Sequence, residues 1–217
     1  MRWKTILFDL DGTLTDPKEG ITKSVAHALT QFGVQVENLD SLTKFIGPPL
    51  LDSFSAFYGL DDAQAAAAVL RFRERFNAIG WAENVPYAGI ADFLAALKAD
   101  GKRLIVATSK PEEFAVRILE HFDLASYFDL ICGAPMRAVK GHSKADVIAD
   151  ALRRAGITDL TGTVMVGDRS HDVEGAHALG LPCVAVLYGY GDRAEHTACG
   201  ADFIVESVEA LETLLRS

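Results

Sequence analysis

The chain has 217 residues, of which 49% are apolar and 24% charged, and its formal net charge is −9. This length allows one large domain, or a core of about 150 residues with a smaller insert. Because an acidic protein repels nucleic-acid backbones, the charge disfavours general binding to DNA or RNA. A site for phosphate groups would need local positive charge from lysine, helix N-termini or a metal ion.

Cysteine usage and the apolar runs indicate the cellular compartment of the protein. The three cysteines, an odd number without zinc-ligand spacing, are Cys132, Cys183 and Cys199. The first two lie in apolar runs, and we expect them to be buried thiols of a reduced, cytoplasmic protein. The first apolar run, Thr5 to Leu10, is short and is interrupted by Asp9, so we predict no signal peptide. No apolar run approaches the length of about 20 residues that spans a bilayer.

Short apolar runs alternate with helical patterns through most of the chain. The runs are rich in Ile, Val, Leu or Phe and end in polar residues or glycine, as expected for buried parallel strands. In chain order, we predict strands at Thr5–Asp9, Arg103–Thr108, Asp129–Gly133, Thr163–Gly167, Cys183–Leu187 and Asp202–Val205.

Apolar residues at helical spacing separate the later strands. Gly101 can end the first of these helices, and Pro111 is predicted to open the next. Ser143 is a predicted N-cap for a helix that Gly156 closes, and Ser207 is a predicted N-cap for the last helix. Repeated β-α units predict an α/β fold with a Rossmann-like, doubly wound parallel sheet that is covered by helices on both faces.

One long stretch, from about Pro17 to Val85, breaks this alternation because its patterns are helical and show no convincing strand. Gly33 ends its first apolar stripe, and a second long helix begins after Asp61 or Asp62 and ends near Gly80. The stretch is a helical insert after the first strand. We therefore predict two domains, an α/β core of residues 1–16 and 86–217 and a helical domain of residues 17–85.

Two acids, Asp9 and Asp11, follow the first predicted strand. Alternate residues on an extended segment point the same way, so both carboxylates can face one site. They lie at the carboxyl end of the strand, where open α/β sheets bind ligands, and Gly12 lets the backbone approach a ligand closely. A turn with two solvated acids is the competing interpretation. The apolar strand weighs against it, because a buried carboxylate is costly unless it is paired or bound to a metal.

A second acidic segment, Gly167–Asp172, comes directly after another apolar strand. Asp168 can therefore join Asp9 and Asp11 in an oxygen-rich site of the kind that suits Mg²⁺. Asp172 has two interpretations, a cap of the following helix or a direct chemical role, and the sequence leaves both open.

Hydroxyl and lysine residues provide two weaker signals. Thr108 and Ser109 come just before a predicted helix, where free N–H groups and hydroxyls bind anions, although an ordinary cap is the commoner explanation. Lys144 directly follows the predicted cap Ser143, where the helix dipole disfavours a cation. A lysine directed at phosphate would explain that position, an ordinary surface lysine is the alternative, and Lys140 is a second candidate for the role.

Together and in this order, these elements resemble the haloacid dehalogenase superfamily of phosphatases, which use an aspartate nucleophile. Asp9–Leu14, of the form DxDGTL, and Gly167–Asp172, with the sequence GDRSHD, carry the resemblance, which covers essentially the whole chain. It implies a Mg²⁺-dependent phosphatase whose residues 17–85 form a helical cap domain. The third motif departs from the family's Lys-Pro-x-Pro form, since Val139–Lys144 contains no proline.

The resemblance also implies a role for each site residue. Asp9 is the nucleophile and Asp11 the general acid and base. Thr108 is the phosphate-binding hydroxyl, and Lys144, or else Lys140, is the lysine of the site. The implied metal ligands are the Asp9 side chain, the Asp11 backbone carbonyl and Asp168, and the implied substrate and phosphate contacts come from Gly12, Ser109 and Gly47. Gly47 lies in Phe45–Leu50, which is similar to the cap loop that faces the core site.

The implied substrate is a small phosphate ester. The overall pattern is similar to phosphoglycolate phosphatases, whereas Gly167–Arg169 and Leu187–Gly191 are similar to 5′-nucleotidases, so phosphoglycolate and a nucleoside 5′-monophosphate both remain open. A dehalogenase, a sugar phosphomutase and a non-catalytic binding domain are the alternatives. The sequence is compatible with a monomer or a homodimer.

Overall fold

The computed structural model describes residues 2–136 and 143–217. Contacts between Cα atoms divide the chain into two compact units, Met1–Asp16 with Pro86–Ser217, and Pro17–Val85. In the part of the chain that is described, no helix is both long and apolar enough to cross a membrane.

Strands and helices alternate in the larger unit, and the smaller unit is mainly helical. The strands are β1 (Thr5–Phe8), β2 (Thr15–Asp16), β3 (Val85–Pro86), β4 (Arg103–Pro111), β5 (Leu130–Ala134), β6 (Thr163–Gly167), β7 (Cys183–Val186) and β8 (Phe203–Val205). The α-helices are α1 (Lys18–Thr30), α2 (Leu50–Tyr58), α3 (Asp62–Arg75), α4 (Ile90–Ala99), α5 (Glu112–His121), α6 (Lys144–Arg154), α7 (Ser170–His177), α8 (Arg193–Ala198) and α9 (Val208–Arg216).

The larger unit is built on a parallel sheet. Within the described residues, six strands follow the order β5-β4-β1-β6-β7-β8, and every neighbouring pair is parallel. From β1 the chain proceeds outwards to β4 and β5, returns to β6 on the other side of β1, and continues outwards to β7 and β8. This is the doubly wound sheet that the alternating pattern predicts, and the reversal of direction beside β1 is where such sheets bind ligands.

Helices cover both faces of this sheet. On one face, side chains of α6 and α7 pack against alternate strand residues such as Leu7, Ile105 and Met165. On the other face, Phe8 meets Phe93 of α4 edge to face, with 5.9 Å between the ring centroids. Because both faces are covered, the strands are apolar on both sides, and this explains their continuous apolar runs.

The boundary between β4 and α5 differs from the prediction. β4 continues through Pro111 and α5 begins at Glu112, so the expectation that Pro111 opens the helix is wrong. A proline disfavours the helical conformation of the residue before it, which keeps Lys110 extended, and Pro111 itself has φ −53° and ψ 132°. Thr108 and Ser109 therefore lie within the extended strand that precedes the helix.

The predicted N-caps are confirmed. Ser143 accepts a hydrogen bond from the backbone N–H of Asp146 at the start of α6 (3.2 Å), and Ser207 caps α9 in the same way. In the smaller unit Asp61, rather than Asp62, caps α3. Such bonds satisfy N–H groups that have no partner within the helix.

The smaller unit has its own aromatic core. The Phe45 ring is buried and lies 5.0 Å from the Phe54 ring and 5.2 Å from the Phe57 ring. Lys44 places its Nζ 4.6 Å from the centroid of the Phe57 ring, a cation–π contact inside this unit. Gly47 follows with φ +101°, a conformation that favours glycine.

Candidate active site

The polar residues singled out in the sequence meet at the carboxyl ends of three central strands of the sheet. Asp9 directly follows β1, and its backbone N–H donates to the carbonyl oxygen of Val166 in β6 (2.9 Å). Asp168 follows β6, and Thr108 lies in β4, on the other side of β1. Parallel pairing of these strands therefore brings together residues that are far apart in the sequence.

Three aspartates form a buried acidic group. Asp9, Asp168 and Asp172 each contribute one carboxylate oxygen, and these oxygens all lie within 4.8 Å of one another. The relative exposures of the three residues are 6%, 0% and 2%. Like charges at such distances repel strongly in a buried site, so this acidic group needs either nearby positive charge or protonation of a carboxylate.

Lys144 provides one positive charge. Its Nζ lies 2.7 Å from Asp9 Oδ1 and 2.7 Å from Asp172 Oδ1, and its side chain is buried. Burial alone would lower the pKa of Lys144, but Asp172 and Asp9 outweigh that effect and raise it, so this side chain stays protonated at neutral pH. Lys140, the alternative candidate, lies outside the described residues.

Asp172 combines the two interpretations that the sequence left open. Its Oδ2 accepts the backbone N–H groups of Asp168 and Arg169, both at 3.1 Å, and so caps the start of α7. Its Oδ1 is the partner of Lys144. Asp172 therefore organises the loop that carries Asp168 and at the same time belongs to the acidic group.

Asp168 has one oxygen available for a ligand. Its Oδ2 accepts the backbone N–H of Tyr190 (2.8 Å), whereas its Oδ1 is buried without a hydrogen-bond partner among the described residues. Burial raises the pKa of Asp168 well above its ordinary value, and the charges of Asp172 and Asp9 raise it further. Gly12, with φ +84°, packs against this side chain, since a Cβ there would lie 2.0 Å from Asp168 Oδ2.

Asp11 pairs with a lysine that the motif analysis did not single out. Lys110 Nζ lies 2.7 Å from Asp11 Oδ2, and both side chains are largely buried. Burial raises the pKa of Asp11, and Lys110 offsets that effect only in part. The spacing of Thr108 and Lys110 could have identified this lysine, because residues two apart on an extended segment share one side.

The remaining predicted substrate and phosphate contacts are Thr108, Ser109 and Gly47. Thr108 is buried, and its Oγ1 accepts the backbone N–H of Lys110 (3.2 Å), so the hydroxyl keeps its own O–H for donation. Ser109 lies between them and is half-buried. Gly47 belongs to the smaller unit, and its contact with a substrate stays a prediction.

The charges and open oxygens of the site fit a divalent cation. The acidic group contains three carboxylates, and Lys144 adds one ammonium, which leaves about two negative charges when all are ionised. Asp168 Oδ1 is buried without a hydrogen-bond partner among the described residues. Carboxylate oxygens of this kind are the ligands that Mg²⁺ prefers.

Comparison with known proteins decides the family. The model of the family described as haloacid dehalogenase-like hydrolase matches residues 6–186. The chain belongs to this hydrolase family. As a member of that family it is a phosphoric monoester hydrolase, the class of enzyme predicted from the sequence.

Several relatives of this hydrolase are similar over most of its length. It is 42% identical over 217 residues to a 5′-nucleotidase of Pseudomonas aeruginosa, covering 100% of this chain and 97% of the relative. It is 32% identical over 222 residues to a phosphoglycolate phosphatase of Caulobacter vibrioides, covering 98% and 92%. A third relative is the tyrosine-protein kinase PtkA of Mycobacterium tuberculosis, at 46% identity over 187 residues, which are 86% of this chain and 62% of the relative.

A solved structure shows the same fold. The crystal structure of a predicted phosphatase from Clostridium acetobutylicum has a TM-score of 0.95 and 46% sequence identity. The similarity covers 100% of this chain and 99% of that one. The Rossmann-like α/β fold expected from the sequence is thereby confirmed for this family member.

Proposed function

We propose that the protein is a Mg²⁺-dependent phosphatase that hydrolyses a small phosphate monoester through an aspartyl-phosphate on Asp9. The observation that carries this proposal is the buried acidic group with Lys144 at its edge. Asp9 lies within 2.7 Å of the Lys144 ammonium and beside two further carboxylates at the switch point of the sheet. Such a site suits a carboxylate nucleophile that must approach an anionic substrate.

Charge neutralisation is the first requirement of this reaction, because the Asp9 carboxylate and a phosphate dianion repel each other. Asp9, the Asp11 backbone carbonyl and Asp168 would hold the metal ion, which when bound supplies positive charge to the phosphoryl oxygens. Lys144 holds the Asp9 carboxylate in place and neutralises part of its charge. The Thr108 hydroxyl, with Ser109 and Gly12, would bind the transferring phosphoryl group.

The chemistry then proceeds in two displacements. An Asp9 carboxylate oxygen forms a bond to phosphorus while the bond from phosphorus to the ester oxygen breaks, and Asp11 gives a proton to the departing alcohol. Asp11, now a carboxylate, takes a proton from water, which attacks the phosphorus of the aspartyl-phosphate. Inorganic phosphate leaves and the Asp9 carboxylate is regenerated.

A nucleoside 5′-monophosphate is our first candidate substrate. The relative named 5′-nucleotidase is 42% identical to this chain over the aligned residues, whereas the relative named phosphoglycolate phosphatase is 32% identical. Phosphoglycolate is therefore the second candidate. A cap function of residues 17–85, with Gly47 near the substrate, would select between the two. The cysteine content suits a cytoplasmic location, where such metabolites occur.

Tyrosine kinase activity is a second candidate function, because one similar protein is named as a tyrosine kinase. The relative named tyrosine-protein kinase shares 46% identity with this chain over the matched region. A kinase would pass the phosphoryl group from a nucleoside triphosphate to tyrosine rather than to water. Radiolabelled ATP with a tyrosine-containing peptide separates the two activities, because a phosphatase releases inorganic phosphate and leaves the peptide unlabelled.

A panel of phosphate esters tests the proposal. We expect phosphate release with Mg²⁺ from nucleoside 5′-monophosphates, more than from phosphoglycolate or sugar phosphates, and loss of activity in EDTA. Asp9→Asn should abolish turnover in a freshly purified, undeamidated sample. Asp123→Asn is the matched control, since Asp123 is exposed and its φ of 57° is one that asparagine adopts readily. Near-normal turnover by Asp9→Asn would refute the mechanism.

A further inference from the structure

The two buried lysines of the site serve different aspartates. Lys144 lies 2.7 Å from oxygens of Asp9 and Asp172, whereas Lys110 lies 2.7 Å from an oxygen of Asp11. The acidic group that the described residues form does not include Asp11, although Asp11 is only two residues from Asp9. The Asp11 carboxylate thus has its own cationic partner and lies outside the group formed by the other carboxylates.

The backbone gives Lys110 a defined position. Pro111 keeps the end of β4 extended, and the backbone N–H of Lys110 donates to Thr108 Oγ1 (3.2 Å). The pairing register between β4 and β5 also shifts between Thr108 and Pro111. Asp11 lies in a tight turn, in which the Gly12 N–H donates to the carbonyl oxygen of Thr15 (2.8 Å). The ion pair therefore connects two segments that are each held by their own backbone hydrogen bonds.

We propose that Lys110 is a positioning residue that holds the Asp11 carboxyl group apart from the acidic group, in the place where it exchanges a proton with the leaving oxygen. This inference rests on the proposed phosphatase function and adds a residue to it. Without the Lys110 ammonium, the Asp11 side chain loses its partner and becomes free to turn towards a cation bound at Asp9 and Asp168. Proton transfer to the leaving group would then fail, while nucleophilic attack by Asp9 would continue.

The leaving group offers a way to measure this effect. An alkyl alkoxide is a poor leaving group and needs a proton during bond breaking, whereas p-nitrophenolate leaves well without one. A defect in proton transfer therefore slows alkyl phosphates more than p-nitrophenyl phosphate. A defect in phosphate binding slows both equally, because the phosphoryl group is the same in both esters.

The experiment compares Lys110→Met with Lys110→Arg and with Lys98→Met, which removes an ion pair to Asp129 elsewhere in the larger unit. We expect Lys110→Met to lose about tenfold more activity on a nucleoside 5′-monophosphate than on p-nitrophenyl phosphate, a part of the roughly 10²–10⁴-fold that general-acid catalysis contributes. Lys110→Arg should restore most of the wild-type ratio, and Lys98→Met should leave it unchanged. Asp11→Asn should give the same selective loss, and Lys110→Met should add little to it.

Two results would overturn the inference. One is an equal loss on both esters together with weaker inhibition by inorganic phosphate, which would make Lys110 a phosphate-binding group. The other is additive lowering of the melting temperature by Lys110→Met and Asp11→Asn, since an ion pair requires the double variant to lose less than the sum. If the wild type released no phosphate from any ester, the proposed function would fail. The melting temperatures of the single and double variants would still test whether Lys110 and Asp11 form an ion pair.

Discussion

The Asp168 carboxylate is completely buried. One of its oxygens accepts a hydrogen bond from the Tyr190 N–H, and the other has no hydrogen-bond partner among the described residues. Burial, then Asp172 and Asp9, raise its pKa above the ordinary value of 3.8. A raised pKa means that this group contributes stability below pH 3.8, which is lost as the pH rises through its pKa in the folded protein. Above that raised pKa the ionised carboxylate therefore destabilises the metal-free protein, and a bound cation would relieve that cost.

Asp168→Asn tests this balance. Because the amide carries no charge, we expect the melting temperature of the metal-free variant at pH 7.5 to exceed that of the wild type by about 3–6 °C. Addition of Mg²⁺ should stabilise the wild type and leave the variant unchanged. The difference between the metal-free proteins should shrink as the pH falls towards 4, where the wild-type carboxyl group is protonated.

Asp172→Asn is the matched comparison for that variant, because it removes one of the two carboxylate partners of Lys144 and should lower the melting temperature. Thermal unfolding followed by circular dichroism in EDTA and in Mg²⁺ measures all three proteins. A lower melting temperature for Asp168→Asn, with a Mg²⁺ response like that of the wild type, would contradict the assignment of Asp168.

Residue positions in the site were predictable where a strand ends in an acid. Asp9 and Asp168 could be found because each directly follows an apolar strand, which places it at the carboxyl end of the sheet. Lys110 was missed because its partner, Asp11, is almost 100 residues away and becomes adjacent only when β1 pairs with β4. Asp172 was ambiguous because its two oxygens have different partners, and the sequence identifies neither.

The packing of α6 on α7 is the element-scale feature that places Lys144. A Cβ on Gly175 of α7 would lie 2.9 Å from the Cβ of Lys144 and 3.0 Å from the backbone nitrogen of Ala145. Glycine at this position therefore allows the first turn of α6 to approach α7 closely. That approach brings the Lys144 ammonium to Asp9.

Gly175→Ala should push the start of α6 away from α7. We expect a loss of stability of about 1–3 kcal/mol from overpacking, and a fall in kcat of about 10–100-fold as Lys144 moves relative to Asp9. Glu174→Ala, at an exposed position of the same helix, should change stability by less than about 0.5 kcal/mol. Denaturant unfolding and steady-state phosphate release provide the measurements. Wild-type kcat and stability in Gly175→Ala would show that this contact does not position the lysine.

Elements were predicted well where apolar periodicity and capping agree, as for α6 with its Ser143 cap. The start of α5 was misplaced because Pro111 suits the first turn of a helix but here ends a strand. The first turn of a helix and the end of a strand both accept the φ that proline adopts. They differ in ψ, which here depends on pairing with β5. Local sequence does not report that pairing.

At the scale of the whole molecule, the alternation of strands and helices predicts the doubly wound sheet, because parallel strands require crossover connections. The strand order is a tertiary property and was not predicted, since it depends on which strands pair. In a chain with a net charge of −9, Lys110 and Lys144 supply part of the positive charge that a phosphate site needs. Selection of the substrate is the property that the motifs determine least.

The most direct test of the central claim is to trap the phosphoryl group on Asp9. Acid quenching during turnover with Mg²⁺ and a nucleoside 5′-monophosphate, followed by proteolysis and mass spectrometry, would locate it. We predict one phosphoryl group on the peptide that contains Asp9, sensitive to hydroxylamine as an acyl phosphate is, present in Asp123→Asn and absent in Asp9→Asn. Phosphate on another residue, or active turnover with Asp9 never modified, would contradict the account.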